Sequence, residues 1–328
     1  MENSKKIVLL WVLDILREYS DENHLLTYND IKKKLFEKYN ISPNVKSIAS
    51  NIETLEAYGY EIIKVGNKGC YLGYRDFEAG EILYLVDAVN SSRAISFTHA
   101  KDLINRITKN ESKYNKSKYR PILKDENNIK SYNGQIFYVI EILSDAIDKG
   151  LKVSFNYNYY TEEKELKPKD EGKVYVINPY HLVNSRGKYY LVCNNDKYQN
   201  ISNYKVENIS NITLLEEQAK EINRLNNIKN FDLNEYVKEH IYMTTGRIVN
   251  ATIKLNSEKN ISDLIDWFGH DVVISKKENE ITATMRVNEN ALIYWALQYG
   301  EHVEILKPIT SRNKIREMIN KISNKYSE

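Results

Sequence analysis

The chain has 328 residues, 42% hydrophobic and 28% charged, which fits a globular protein of roughly two or three domains. A net charge of +2 gives no global basic field to attract a polyanion, and two distant cysteines, Cys70 and Cys193, exclude a disulfide framework or a cysteine-based zinc site. The apolar run at 7–13 is too short to span a bilayer and lacks a small-residue cleavage pattern, so a cytoplasmic chain without membrane contact is expected. With 12 Gly and 5 Pro against 26 Tyr, long regular elements and few flexible linkers are expected.

Ser4 to Tyr19 reads as a helix, with Val8, Trp11, Val12, Ile15 and Tyr19 on one face. After the polar stretch at 20–24, Thr27 can cap a second helix bearing Ile31, Leu35 and Tyr39. A third helix is expected to start near Ser42, with Pro43 in its first turn and Val45, Ile48, Ile52 and Leu55 as its buried stripe. A strand, a glycine-bearing turn and a second short strand follow. Three helices and a β-hairpin describe a winged helix-turn-helix over residues 1–75.

On the third helix, Lys46, Ser47, Ser50 and Thr54 point outward, with Asn51 at the edge and Asn44 at the start. Short polar side chains and one lysine suit close approach to a DNA major groove. Glu53 and Glu56 come a turn later and would repel phosphate, so only the N-terminal half of this helix is expected to enter. Lys64 and Lys68 on the hairpin are placed to reach the DNA backbone. Against this, residues 1–72 carry ten basic and ten acidic side chains, whereas a strong DNA binder usually has a basic face. Winged helices also serve as dimerisation modules, and both readings stand.

Residues 76–132 form a helical connector, with helical patterns at 77–95 and from 100 towards 118. Another helix at 133–150 presents Ile136, Ile140, Leu143 and Ile147, and Gly150 is a natural stop. These helices either transmit movement or pack passively.

From 151 the pattern alternates. Val153, Phe155 and Tyr157 share a face; strands follow at 174–183, with Pro179 at an edge or bend, and at 188–193, 202–209 and 211–217. Asn184 to Gly187 form a turn. Five or so short strands with tight turns describe a small barrel. Tyr189, Leu191 and Cys193 fall on one face, Tyr190 and Val192 on the other, and Asn203, Lys205 and Glu207 lie opposite Tyr204 and Val206. The last segments, βαββαβ over 251–328 after a linker at 221–250, suggest a ferredoxin-like module with an added helix. Trp267, Trp295 and Tyr299 sit at apolar helical positions and are expected in its core.

This ordered set resembles bacterial transcription factors with a WYL domain, named for a Trp-Tyr-Leu tripeptide. Here that position is Tyr189-Tyr190-Leu191, preceded by NPYHLV at 178–183 and followed by NYKVENI at 203–209. The segment GCYLGYRDFEAGEILYLVDAV and the C-terminal part are similar to the same family, so the resemblance covers nearly the whole chain. It implies an α+β multidomain protein whose residues 133–220 form an Sm-like, SH3-like barrel with its leading helix, followed by a WCX extension that helps the protein dimerise. It also implies a polar face that binds a nucleotide or nucleic-acid ligand. The family's site positions correspond to Ser154, Tyr157, His181, Lys205 and Asn208, with Tyr189 in the tripeptide. The last two of the five, Lys205 and Asn208, replace arginines, and a lysine does not reproduce the planar fork with which arginine grips phosphate.

The chain holds no GxxxxGK[ST], GxGxxG after a strand, HExxH or GxSxG, and its six histidines show no metal-ligand spacing. No catalytic residue, metal or cofactor is expected. The expected function is a ligand-responsive transcriptional regulator that binds double-stranded operator DNA as a homodimer. The alternative is a WYL accessory protein that binds single-stranded RNA or DNA and modulates a defence system.

Overall fold

The computed structural model describes residues 5–73, 77–123, 131, 133–225, 228, 230–278 and 280–327. The expected helix start at Ser4 and the boundaries at 75–76 and 132 lie outside them. Two units divide the chain, Met1–Ser131 and Tyr132–Glu328.

In the first unit, α1 (Lys5–Tyr19), α2 (Tyr28–Tyr39) and α3 (Val45–Tyr58) pack their apolar stripes together. Val12, Ile15, Leu16, Ile31, Leu35, Ile48 and Ile52 are fully buried there. Full burial of such a side chain stabilises by about 1.5–3 kcal/mol, so this stripe is what holds the three helices in place. Thr27 caps α2 through a reciprocal capping box with Asp30. The third helix starts later than its sequence suggested. Asn44, not Ser42, is the N-cap and accepts from the Ser47 amide at 2.7 Å. That shift leaves Val45 exposed in place of buried. Gly59 ends α3 with φ of 116°, a left-handed conformation that glycine adopts without strain. The hairpin β1 (Ile62–Lys64) and β2 (Cys70–Leu72) pairs antiparallel. Helices α4 (Ala79–Ser91), α5 (Phe97–Ile107) and α6 (Lys113–Leu123) complete the described part of this unit. The helical pattern seen from 100 to 118 is therefore two helices. Ser112, just before α6, donates to the buried Asp21 at 2.7 Å, tying α6 to the turn after α1.

The second unit opens with α7 (Ile136–Lys149), which packs on β3 (Leu151–Tyr160). Its buried residues are Ile136, Val139, Leu143 and Ala146, with Ile140 and Ile147 only half-buried. Gly150 caps α7 in the left-handed region. Next come β4 (Leu166–Pro168), which the sequence pattern did not reveal, and β5 (Val174–Ser185), β6 (Lys188–Asn194), β7 (Ser202–Lys205) and β8 (Ile209–Gln218). The strand order is β4-β3-β5-β6-β7, and β8 pairs with β3. A 3-10 turn over Val206–Asn208 carries the chain from β7 to β8. Consequently the strand expected to run to 209 stops at Lys205. The β5–β6 turn is Arg186-Gly187, both at positive φ (52° and 75°), as a two-residue hairpin turn requires. A bulge between Pro179 and His181 bends β5.

Within the expected linker at 221–250, residues 233–239 form a short helix, α8 (Leu233–Glu239). The chain ends in β9 (Ile248–Leu255), α9 (Asn260–Phe268), β10 (Val273–Lys277), β11 (Glu280–Asn288), α10 (Glu289–Gln298), β12 (Val303–Lys307) and α11 (Ile309–Lys325). These strands make an antiparallel sheet ordered β10-β11-β9-β12. Trp295 is fully buried in its core, with Trp267 and Tyr299 partly buried around it. The two sheets of this unit are joined at the β5–β6 turn. There Arg186 lies 3.6 Å from the centre of the Trp267 ring and donates to the Asp266 carbonyl at the end of α9.

Candidate nucleic-acid interface and ligand site

The N-terminal half of α3 presents Lys46, Ser47 and Ser50 exposed, because the buried stripe Ile48, Ile52 and Leu55 fixes the helix's rotation. Asn51 is half-buried at the margin. Asn44 is exposed, but its side-chain oxygen is engaged as the cap. Thr54 turns its hydroxyl back to the Ser50 carbonyl at 2.8 Å. On the hairpin, Lys68 is exposed in the turn, whereas Lys64 is held 2.7 Å from Glu56 of α3. That hydrogen bond raises the lysine's pKa. The first acids on the α3 surface are thus Glu53 and then Glu56, one turn beyond Ser50.

The second face lies on β5, β6 and β7. Cross-strand register aligns His181 with Val192 and Asn203, and Val183 with Tyr190 and Lys205. Residues opposite one another share a face, and successive residues alternate. His181, Val183, Tyr190, Val192, Asn203 and Lys205 therefore lie on one side, and Tyr189 on the other. Most of this side is covered by the chain's own residues 231–243. Phe231 stacks on His181 with ring centroids 5.3 Å apart and planes 12° apart. Burial lowers the His181 pKa. The Asn203 amide donates to Tyr236 Oη at 2.8 Å and to the Met243 carbonyl at 3.1 Å. Val183, Tyr190, Val192 and Met243 are the buried centre of this contact.

Beyond the strap, Tyr157, Lys205 and Asn208 are half-buried. Tyr157 points into the aromatic core beside Tyr204, 4.9 Å between ring centroids, yet its hydroxyl reaches the edge and accepts from the Lys205 amide at 3.3 Å. Burial raises the pKa of this hydroxyl, and the neighbouring Asn208 side chain works against that rise. Tyr157, Lys205 and Asn208 are thereby brought together, with His181 one row away under Phe231. Ser154 is not part of this group. It lies opposite Val176, five positions before His181 on β5, or roughly 16 Å at the usual strand rise.

A WYL domain profile matches residues 138–214, the span of α7 and the six-stranded sheet. Residues 138–214 therefore carry a WYL domain. A WCX domain profile matches residues 247–323, the four-stranded sheet and its helices. The chain is similar to the "Uncharacterized HTH-type transcriptional regulator YobV" of Bacillus subtilis (strain 168), 25% identical over 188 residues, which cover 57% of this chain and 55% of that protein. It thus spans about half the length of that relative. Among solved structures, proteasome accessory factor B/C (PafBC) of Arthrobacter aurescens is 13% identical with a TM-score of 0.29, covering 99% of this chain and 49% of that one. A crystal structure of a CRISPR Cas-related protein is 16% identical with a TM-score of 0.38, covering 99% and 87%.

Three residues beside Lys205 were not among the expected site residues. Lys188 lies 3.6 Å from Glu207, a carboxylate only 7% exposed, and Tyr190 stands beside them. Alternation placed Glu207 on the face of Asn203 and Lys205; the 3-10 turn over Val206–Asn208 ends that alternation, and Glu207 is buried. On the far side of the strap, a cleft of about 1200 Å³ is lined by Gln199, Phe231, Tyr236, His240, Arg247 and Arg286, among others. None of the six expected ligand residues lines it. Arg286 is already committed to Glu239 at 2.9 Å and Glu235 at 3.2 Å. Among the described residues, no group of three or more His, Cys, Asp or Glu could hold a metal ion, and no helix is long and apolar enough to cross a membrane.

Proposed function

We propose that this WYL-domain protein is a ligand-responsive, cytoplasmic transcriptional regulator. In this reading α1–α3 and the β1–β2 hairpin act as a winged helix-turn-helix on operator duplex DNA. The sheet of residues 151–218 acts as an Sm-like barrel that senses a nucleotide or nucleic-acid ligand through Lys205, Tyr157 and Asn208. The βαββαβ part acts as a ferredoxin-like extension that pairs two chains. The observation that carries it is the exposed N-terminal half of α3, with Lys46, Ser47 and Ser50 and no acid before Glu53, in a chain that also holds a WYL domain. Side chains of that size and polarity suit the major groove.

The test is fluorescence anisotropy on a duplex from the protein's own promoter. Ser47→Glu with Ser50→Glu should weaken binding by about a hundredfold or more, since two carboxylates then face phosphate. Melting should be unchanged, because both serines are exposed. Light scattering of the wild-type complex should give two chains per operator. If the double variant binds like wild type at equal salt, α3 does not enter the groove. The even balance of ten basic and ten acidic side chains in residues 1–72 favours a second reading, an accessory protein that binds single strands. Tighter binding of wild type to single strands than to the duplex would select it.

A further inference from the structure

At the β6–β7 edge of the WYL sheet, one lysine contacts a buried carboxylate and a second lies on the same face. Glu207 sits in the 3-10 turn, which the Asn133 amide pins by donating to the Glu207 carbonyl at 3.0 Å and the Ile209 carbonyl at 2.9 Å. One side-chain oxygen of Glu207 is 3.6 Å from Lys188 Nζ. The other is buried with no hydrogen-bond partner among the described residues. A charge-assisted hydrogen bond normally spans about 2.7–2.9 Å, and a buried carboxylate oxygen left unpaired is costly. Lys205 faces the same carboxylate from β7. Its ammonium is disfavoured first by burial and then by Lys188, with Glu207 acting in the opposite direction. Among the described residues, Tyr157 from β3 and Tyr190 from β6 are the further titratable groups near Glu207. Two lysines on one face of adjacent strands call for an anion near them, and Glu207 meets that need with one long contact to Lys188 and one idle oxygen.

We propose that Lys188 and Lys205 form a phosphodiester-binding subsite of the WYL domain and that Glu207 is the chain's own competitor for it. The proposal rests on the reading of this domain as a nucleic-acid sensor and adds to it a second cation and a gate. A phosphodiester oxygen between the two ammonium groups supplies the charge that Glu207 supplies poorly. For it to enter, Glu207 must turn out or take up a proton. Burial already raises the Glu207 pKa against the pull of both lysines. Binding is then linked to proton uptake and tightens as pH falls.

The test uses hexathymidylate without terminal phosphates, whose charge is constant between pH 5 and 8. The full-length chain carries Ser47→Glu and Ser50→Glu, so that α3 adds nothing. Glu207→Gln in this parent should bind at least about tenfold tighter at pH 7.5. His181 lies on the same face and also charges on acidification, so parent and variant are compared at each pH. The gap between them should close towards pH 5.5. Adding Lys188→Met to Glu207→Gln should remove the gain. Equal affinity of parent and Glu207→Gln overturns the proposal, as does binding by neither, or a gain that survives Lys188→Met. Should Glu207→Gln melt early, the pH dependence of the parent and its loss in Lys188→Met decide between the same two outcomes. The duplex experiment above reads α3 in the unmodified chain, so either result can fail alone.

Discussion

Lys64 and Lys188 each meet a carboxylate of their own chain, one in the open and one under cover. Lys64 and Glu56 are 2.7 Å apart with side chains 44% and 32% exposed. Lys188 and Glu207 are 3.6 Å apart, and Glu207 retains only 9% of its side-chain surface. By distance alone the first pair is the stronger. Burial reverses the ranking of consequence. An exposed pair is worth about 0–1 kcal/mol, because water answers either charge when the other leaves. A carboxylate in the sheet edge has no such substitute, and whatever relieves it acts with more force. The same contrast runs through both regions: α3 offers polar groups already solvated, whereas the WYL face offers groups that its own chain has partly desolvated.

The strap over residues 231–243 should therefore respond strongly to the loss of a single buried polar contact. Tyr236 Oη accepts from the Asn203 amide at 2.8 Å and lies 3.1 Å from the Asn203 side-chain oxygen. Tyr236→Phe leaves that amide short of a partner and should cost about 1–3 kcal/mol. Urea unfolding would show it as a lower midpoint. An unchanged midpoint would mean that apolar packing of Val183, Val192 and Met243 alone holds the strap.

A smaller effect should appear on acidification. Burial lowers the pKa of His181 and of His240, both from an ordinary value near 6.5. The unfolded chain then binds protons before the folded one, so their stabilising contribution is present above pH 6.5 and is lost as pH falls through the folded values. Glu207 runs the other way. Its folded pKa is raised from 4.5, so its contribution is present at low pH and is lost as pH rises through the folded value. Between pH 7 and 5 the two trends oppose each other. Glu207→Gln removes one of them and should steepen the acid loss of stability. Urea midpoints at pH 7 and 5 for both proteins check this, and parallel lines would mean that Glu207 does not titrate in that window.

Much of the first unit was legible because its signals are local. Thr27 with Asp30, and the spacing of Ile48, Ile52 and Leu55, act within a few residues and need no partner elsewhere. In the second unit the stops at Gly150 and Arg186-Gly187 were legible for the same reason. The strap was not. Residues 221–250 hold one seven-residue helix, too short to show a period, and its aromatic residues find their partners on strands thirty or more positions away, as Tyr236 does on Asn203. The pairing of Lys188 with Glu207 was hidden by a change of period. Strand alternation carries to Glu207 only if the strand continues past Lys205, and the 3-10 turn interrupts it. Ser154 was grouped with His181 by resemblance to the family's site pattern, whereas strand register sets them five positions apart along β5.

The smallest expected effect belongs to the exposed pair and tests the comparison most directly. Glu56→Gln removes the carboxylate that holds Lys64 and leaves the α3 stripe intact, since Glu56 is not part of it. A freed Lys64 can neutralise one more phosphate, so duplex affinity should rise only about two- to fivefold at low salt. The slope of log affinity against log salt should steepen by about one. The gain should shrink near 0.15 M salt, where the screening length is about 8 Å. Lys64→Ala in the Glu56→Gln chain should cancel it. The gain from Glu207→Gln on hexathymidylate should survive the same salt, because partly buried charges are screened less. If both gains fade together with salt, burial does not separate the two carboxylates, and Glu207 acts as one more surface charge.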